Sequence, residues 1–172
     1  MFKIIKPLPE PPYKLDWGCS NQCREGYVGI DIREGTKASI LIDKDGYSEF
    51  QSNTASEIIS EHSLEHNEYE DARYLLSTWN RILIEGGILK IYVPCWKKAD
   101  PKHKENFIMY VCGAMRHKDD FHYSQWDYWL LKSFLIIAGF KEENIKEVVY
   151  PGPNHALPSS PLFGTLAVEA LK

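Results

Sequence analysis

Short apolar runs alternate with amphipathic stretches along the chain, and the change of period from one to the next sets out the elements. "YKLDWG", "YVGIDI", "ASILID" and "ASEIIS" have strand length and strand chemistry, and they end in or just before small or acidic residues. The period then lengthens. Ala72, Leu75, Leu76, Trp79, Ile82 and Leu83 recur at helical spacing and predict a helix with one apolar face. Asn67 and Glu70 stand as an N-cap and its capping-box partner, and Gly86 and Gly87 stop the helix. "GILKIYVP" follows as a buried strand closed by Pro94, so residues 55–94 read as a strand, helix, strand unit of the kind that builds parallel sheets. A second helix is predicted in "SQWDYWLLKSFLIIAGF", with Trp126, Trp129, Leu130, Phe134 and Ile137 available for burial and Gly139 at its end. "IKEVVY" and "GTLAVEALK" complete the chain as strands, separated by the proline-rich loop "PGPNHALPSSP". The lead "KPLPEPP" cannot continue a helix or a central strand, so residues 1–12 are expected to lie over the surface, with regular structure beginning at Tyr13. The alternation as a whole implies an α/β layered fold.

A length of 172 residues fits one domain with one core. Twenty basic and 24 acidic residues leave a formal net charge of -4, which offers no broad attraction to phosphate backbones or anionic membranes. Nucleic acid is therefore disfavoured as a bulk partner. No apolar run approaches the ~20 residues of a membrane span, and the apolar part of "MFKIIKPLPEPP" is too short for a signal peptide. The expectation is a cytoplasmic protein. Cys19, Cys23, Cys95 and Cys112 form no C-x-x-C pair and are read as reduced thiols without a catalytic role.

His62, Glu65 and His66 spell H-x-x-E-H, a variant of the zinc-peptidase signature. Such a site needs both histidines on one helix face. Here His62 directly follows the strand-like run "EIIS", and the expected helix cap lies beyond His66, so the two rings need not converge. A zinc hydrolase through these three residues is kept only as a remote alternative; no metal is expected, and His66 is expected to pack or cap near the helix start.

The order of these pieces resembles the class I S-adenosylmethionine-dependent methyltransferases, and within them the small members with a clipped front end. "LDWGCS" stands as the glycine-bearing first strand and turn, "GYVGIDI" as the second strand with its terminal acid, and "ILID" as the third. "ASEIISEHSLEH" resembles the fourth strand and its loop, and "WNRILIEGGILKIYVP" the helix, double glycine and fifth strand. The resemblance covers about residues 13–172 as a single domain. It implies a Rossmann-like methyltransferase sheet, mostly parallel with an antiparallel C-terminal strand, and S-adenosylmethionine as cofactor. In open α/β sheets ligands settle beyond the carboxyl ends of the strands where strand order reverses. On this resemblance Asp16, Gly18 and Ser20 belong to the cofactor site, with Gly18 beside the methionine part of the cofactor, and Arg24 pairs with its carboxylate. Asp31 accepts the ribose hydroxyls, Asp43 and Lys44 border the adenine, and Glu61 and His62 line its other side. The alternative for Asp31 and Asp43 is that they merely begin turns, and for Arg24 that it is solvated.

The chain departs from the family's pattern between Gly18 and the second strand. "CSNQCREGY" is too short for a usual crossover, so the first crossover helix is missing or reduced. Ser20 also stands where the pattern often has a second glycine. A cap insertion is expected at about residues 95–124, leaving from the ligand-binding edge. Within "DFHYSQWDYW", His122 matches a histidine that precedes a tryptophan-bearing helix in the small methyltransferases. It is the candidate general base for in-line methyl transfer to a small-molecule or glycan-type acceptor, its alternative being a cap or packed residue for the following helix. Two further readings stay open. One is a binding module that kept the fold and lost the chemistry; the other is a homodimer that covers the cofactor site with the tryptophan-rich region and the proline loop.

Overall fold

A computed structural model of the protein describes residues 1–99, 111–113, 115, 120–152 and 164–172. Eight strands form one sheet among these residues: β1 (Phe2–Ile4), β2 (Tyr13–Trp17), β3 (Val28–Asp31), β4 (Ile40–Ile42), β5 (Ala55–Glu61), β6 (Leu83–Pro94), β7 (Ile145–Val148) and β8 (Thr165–Leu171). Their spatial order is β1-β4-β3-β2-β5-β6-β8-β7. β4, β3, β2, β5 and β6 run parallel, β8 is antiparallel to both β6 and β7, and β1 is antiparallel to β4. This is the expected Rossmann-like sheet, with its order reversing between β2 and β5.

The register sorts the strands into two unlike faces. Leu15, Trp17, Ile30, Ile40, Ile58, Leu89, Ile91 and Val168 share one face, all buried. Helix α1 (Tyr69–Ile82) packs on it through Ala72, Leu75, Leu76, Trp79 and Ile82, and the Trp79 ring meets Trp17 edge-on with centroids 5.5 Å apart. Helix α2 (Tyr128–Ile137) adds Leu131 and Leu135. At roughly 1.5–3 kcal/mol for each large apolar side chain removed from water, this layer holds the domain together. The opposite face carries Lys14, Asp16, Glu57, Lys90 and Glu169 between smaller apolar groups. Here the Lys90 ammonium lies 2.6 Å from Glu57, and Lys14 lies 3.6 Å from it.

That polarity has a cause in the connections. The segments between β2 and β3 and between β3 and β4 contain no helix, so among the described residues no helical layer covers β2 and β3 on this face, which is met by loop residues such as Tyr27 and Tyr150. Strands covered on one side alternate, whereas strands covered on both sides read as continuous apolar runs.

Four local expectations are corrected. Regular structure starts before Tyr13: Phe2–Ile4 pairs with Ile40–Ile42 as an edge strand, a place that tolerates the prolines after it. Asn67 does not cap α1. Its amide donates to the Ser63 and Leu64 carbonyls of the preceding single turn, while Glu68 takes the N-cap position without a side-chain bond and Glu70 pairs with Arg73. The helix ends at Ile82 rather than at Gly86. Residues 83–87 already belong to β6, where an irregularity opposite Ala55 and Glu57 absorbs the extra length. In α2, Trp126 is buried as expected, but Trp129 and Ile137 stay 70% and 63% exposed. The cap insertion and the proline-rich loop fall largely outside the described residues.

Candidate active site

The carboxyl ends of β2 and β5 sit side by side at the reversal of strand order, and the backbone is strained at both. Ser20, two residues after Gly18, has φ +50°, and His62, the first residue beyond β5, has φ +50°. Residues other than glycine rarely hold this conformation, at a cost on the order of 1–3 kcal/mol each, unless the surroundings fix it. The surroundings do. Ser20 N–H donates to the Asp31 carboxylate at 2.8 Å, and its hydroxyl accepts from Arg33 at 3.0 Å. His62 N–H donates to the Tyr92 carbonyl at 2.8 Å. Gly18, at φ +77°, is held by its N–H bond to Ile30, and any Cβ there would collide with Ser63 of the loop leaving β5. The glycine thus serves the chain's own close approach at this point.

The expected cofactor residues fall into three groups. Asp16, Arg24 and Glu61 form one buried network: Arg24 donates from its backbone and guanidinium to Asp16 at 2.8 and 2.7 Å and pairs with Glu61, which also accepts from the Tyr150 hydroxyl. The Arg24 charge is thereby met by two carboxylates of the protein. Burial and the Glu61 hydrogen bond push the Tyr150 hydroxyl upward, so it remains a donor. Asp31 forms the second group with Ser20 and Arg33, whose backbone N–H bonds it at 2.9 Å. A carboxylate has lone pairs beyond those used here, and Arg33, with a side chain 38% exposed, covers it. Asp43 and Lys44 lie apart. Asp43 caps the short 3-10 helix Lys44–Glu49 and pairs with the Met1 amine, which lowers its carboxyl below the usual range, while Lys44 faces Asp71 at 3.6 Å.

His62, Glu65, His66 and His122 converge. Residues 120–124 fold back onto the single turn Leu64–His66, because the Glu65 carbonyl accepts from Tyr123 N at 2.8 Å and Ser124 N at 3.2 Å. The Glu65 carboxylate is fully buried and neither oxygen has a hydrogen-bond partner among the described residues. Around it stand His62 Nδ1 at 3.5 Å and His122 Nε2 at 3.9 Å. The His66 and His122 rings are 5.1 Å apart, and His66 Nδ1 meets the Phe121 carbonyl at 2.8 Å. Burial pushes the Glu65 carboxyl up, but the neighbouring imidazoles, His62 foremost, outweigh it and hold it below its ordinary value. For His62, burial acts downward and Glu65 with Glu61 prevails, raising the imidazole. His62 and His66 do not share a helix face, as expected; Glu65 is what joins them to His122. The H-x-x-E-H pattern was the available signal for Glu65. For Tyr150, Arg33 and Ser63 the sequence offered none.

No family model and no curated protein matches the chain. Solved structures do. An S-adenosylmethionine-dependent methyltransferase from Archaeoglobus fulgidus aligns at 18% identity and TM-score 0.63, over 92% of this chain and 85% of that one. The CurJ carbon methyltransferase aligns at 14% and 0.59, over 96% and 50%. Phosphoethanolamine N-methyltransferase 2 of Haemonchus contortus, solved with S-adenosyl-L-methionine, aligns at 13% and 0.61, over 96% and 50%. The chain thus spans about half the length of the latter two. It has the class I methyltransferase fold, in a form with its first two crossovers reduced to loops.

Proposed function

We propose that the protein binds S-adenosylmethionine across the ends of β2 and β5 and transfers its methyl group in line to a small-molecule or glycan-type acceptor, with His122 as the base that takes the acceptor's proton. The observation that carries this reading is the meeting, at the reversal of strand order, of the Gly18–Ser20 turn, the Asp31 carboxylate and the loop onto which His122 folds. Gly18, Ser20 and Asp31 take the methionine and ribose parts, Asp16 and Arg24 the amino acid end, and Glu61, His62, Asp43 and Lys44 the adenine side. Asp43 and Lys44 have the weakest support, since both face other partners. The similar structures act on different atoms, carbon in one and nitrogen in another by their names, so the fold does not choose the acceptor. No helix among the described residues is long and apolar enough to cross a membrane. The cysteines are free thiols, in keeping with the cytoplasm.

Titration with S-adenosylhomocysteine, the demethylated product, tests the reading by melting. At a hundredfold excess over its dissociation constant the stabilisation is about 2.7 kcal/mol. No shift at millimolar ligand defeats the proposal. A second reading, a binding module without turnover, is favoured by one observation: Asp16, Arg24, Glu61 and Tyr150 are already bonded to each other. Ligand binding without methyl transfer to any acceptor tried would select it. A dimer would have the exposed Trp129 and Ile137 of α2 to bury, and sedimentation across concentrations decides whether it forms.

A further inference from the structure

We propose that Glu65, His66 and His122 bind one divalent transition-metal ion of the zinc, cobalt or manganese type. Each offers one donor atom, and the three lie within 4.8 Å of one another. Metal bonds of about 2.0–2.2 Å in a tetrahedral shell place neighbouring donors roughly 3.4 Å apart. The His122 Nε2 to Glu65 Oε1 separation is already 3.9 Å, and side-chain rotations that draw donors together by about 1.5 Å at most close the shell. Two imidazoles and a carboxylate leave a position open for a further ligand, as catalytic sites do.

Two independent features point to a cation rather than to packing. His66 Nδ1 stands 2.8 Å from the Phe121 carbonyl, which can only accept, so the ring proton sits on Nδ1 and Nε2 keeps its lone pair. Metal-ligating histidines are oriented by just such a bond to a backbone carbonyl. The second feature is Glu65, 1% exposed, with neither carboxylate oxygen hydrogen-bonded among the described residues. A buried carboxylate needs compensation. His62, 3.5 Å away, supplies part of it and would stand outside the metal shell. The arrangement is held by main chain: Tyr123 and Ser124 donate to Glu65 O, and His122 N donates to Cys112 O. This set differs from the peptidase pattern, which would use His62 and would make Glu65 a base.

Its functional consequence rests on the methyltransferase reading. A cation here would bind the acceptor oxygen beside the cofactor and favour its ionised form, and the Nε2 lone pair of His122 cannot then also accept a proton. Loaded and metal-free protein would activate the acceptor differently.

The test uses the whole chain, stripped with chelator and titrated with cobalt(II), reading the visible bands of low-coordinate cobalt together with equilibrium dialysis. One equivalent is expected, displaced by zinc. Glu65→Gln, His66→Gln and His122→Ala should each weaken binding about 100-fold or more, and His62→Ala should keep the stoichiometry. Circular dichroism checks that each variant is folded, with Glu65→Gln preserving shape. Millimolar affinity in the parent protein, or undiminished binding in folded His122→Ala, overturns the proposal; loss in His62→Ala equal to that in His66→Gln reassigns the site and overturns it too. Cofactor plays no part in this readout. Metal binding without a melting shift from S-adenosylhomocysteine would therefore sink the methyltransferase reading alone, and the converse would sink only the metal.

Discussion

Ser20 shows at the scale of one residue how a left-handed backbone position is held by a side chain other than glycine. Its φ of +50° is the left-handed conformation that glycine adopts freely, and the bond from Arg33 to its hydroxyl helps to hold it there. Ser20→Gly should therefore be tolerated within about 1 kcal/mol, whereas Ser20→Val, β-branched at positive φ, should cost on the order of 2–3 kcal/mol; chemical denaturation of the pair measures both. For His122 the decisive comparison is rate against stability on one preparation. If His122 is the base in the metal-free protein, its change to Ala should lower turnover about 100-fold or more and leave cofactor affinity nearly intact. A result of about 1 kcal/mol lost stability with turnover spared would make it a structural residue. His122 was singled out through the resemblance, from its position before a tryptophan-bearing segment. Its grouping with Glu65 and His66 was not, because 55 residues separate Glu65 from Phe121–Ser124 and only the fold-back onto the Glu65 carbonyl joins them.

Elements were legible where period and punctuation agreed. β2, β3, β4, β7 and β8 lie within the runs read as strands, β5 runs one residue beyond its own to Glu61, and α2 ends as expected, with Gly139 at φ +102° just past its last turn. Where two signals competed, the shorter-range one misled: Asn67 satisfies the turn behind it instead of the helix ahead. The start of α2 gives a clean contrast. Asp127 accepts from Leu130 N at 2.9 Å as a true N-cap and also pairs with Lys97, which with that N–H holds its carboxyl below the usual range. Asp127→Ala should cost about 1 kcal/mol at pH 7, and Asp127→Asn, which keeps an acceptor for the Leu130 N–H, should recover most of it. Equal losses in the two, read by urea midpoints, would mean that the cap is idle and that the charge alone matters.

At the scale of the whole molecule, the sheet is apolar on its helix-covered side and charged on the other. The charged side is legible in hindsight from Lys14, Asp16, Lys90 and Glu169, which interrupt strands that a doubly covered sheet would keep apolar. Glu57 is the centre of that side. Burial pushes its carboxyl up, but hydrogen bonds from Lys90 and Tyr27 prevail and lower it. A group depressed in the folded state stabilises above its unfolded value, about 4.3, and the contribution fades as pH falls through the folded value. Glu57→Gln should thus cost about 1 kcal/mol at pH 7 and progressively less below pH 4. A difference from the parent that does not shrink in acid would show that Glu57 acts through packing rather than charge.

The three-residue pairing of Phe2–Ile4 with Ile40–Ile42 bears on how the molecules behave towards one another. Without it, the all-apolar Ile40, Leu41 and Ile42 would present a row of open backbone donors and acceptors at the sheet's margin, the template on which chains join into larger assemblies. β1 fills that row and moves the margin to a strand of three residues that carries Lys3 and is followed by prolines, which leaves little ladder for a further chain to extend.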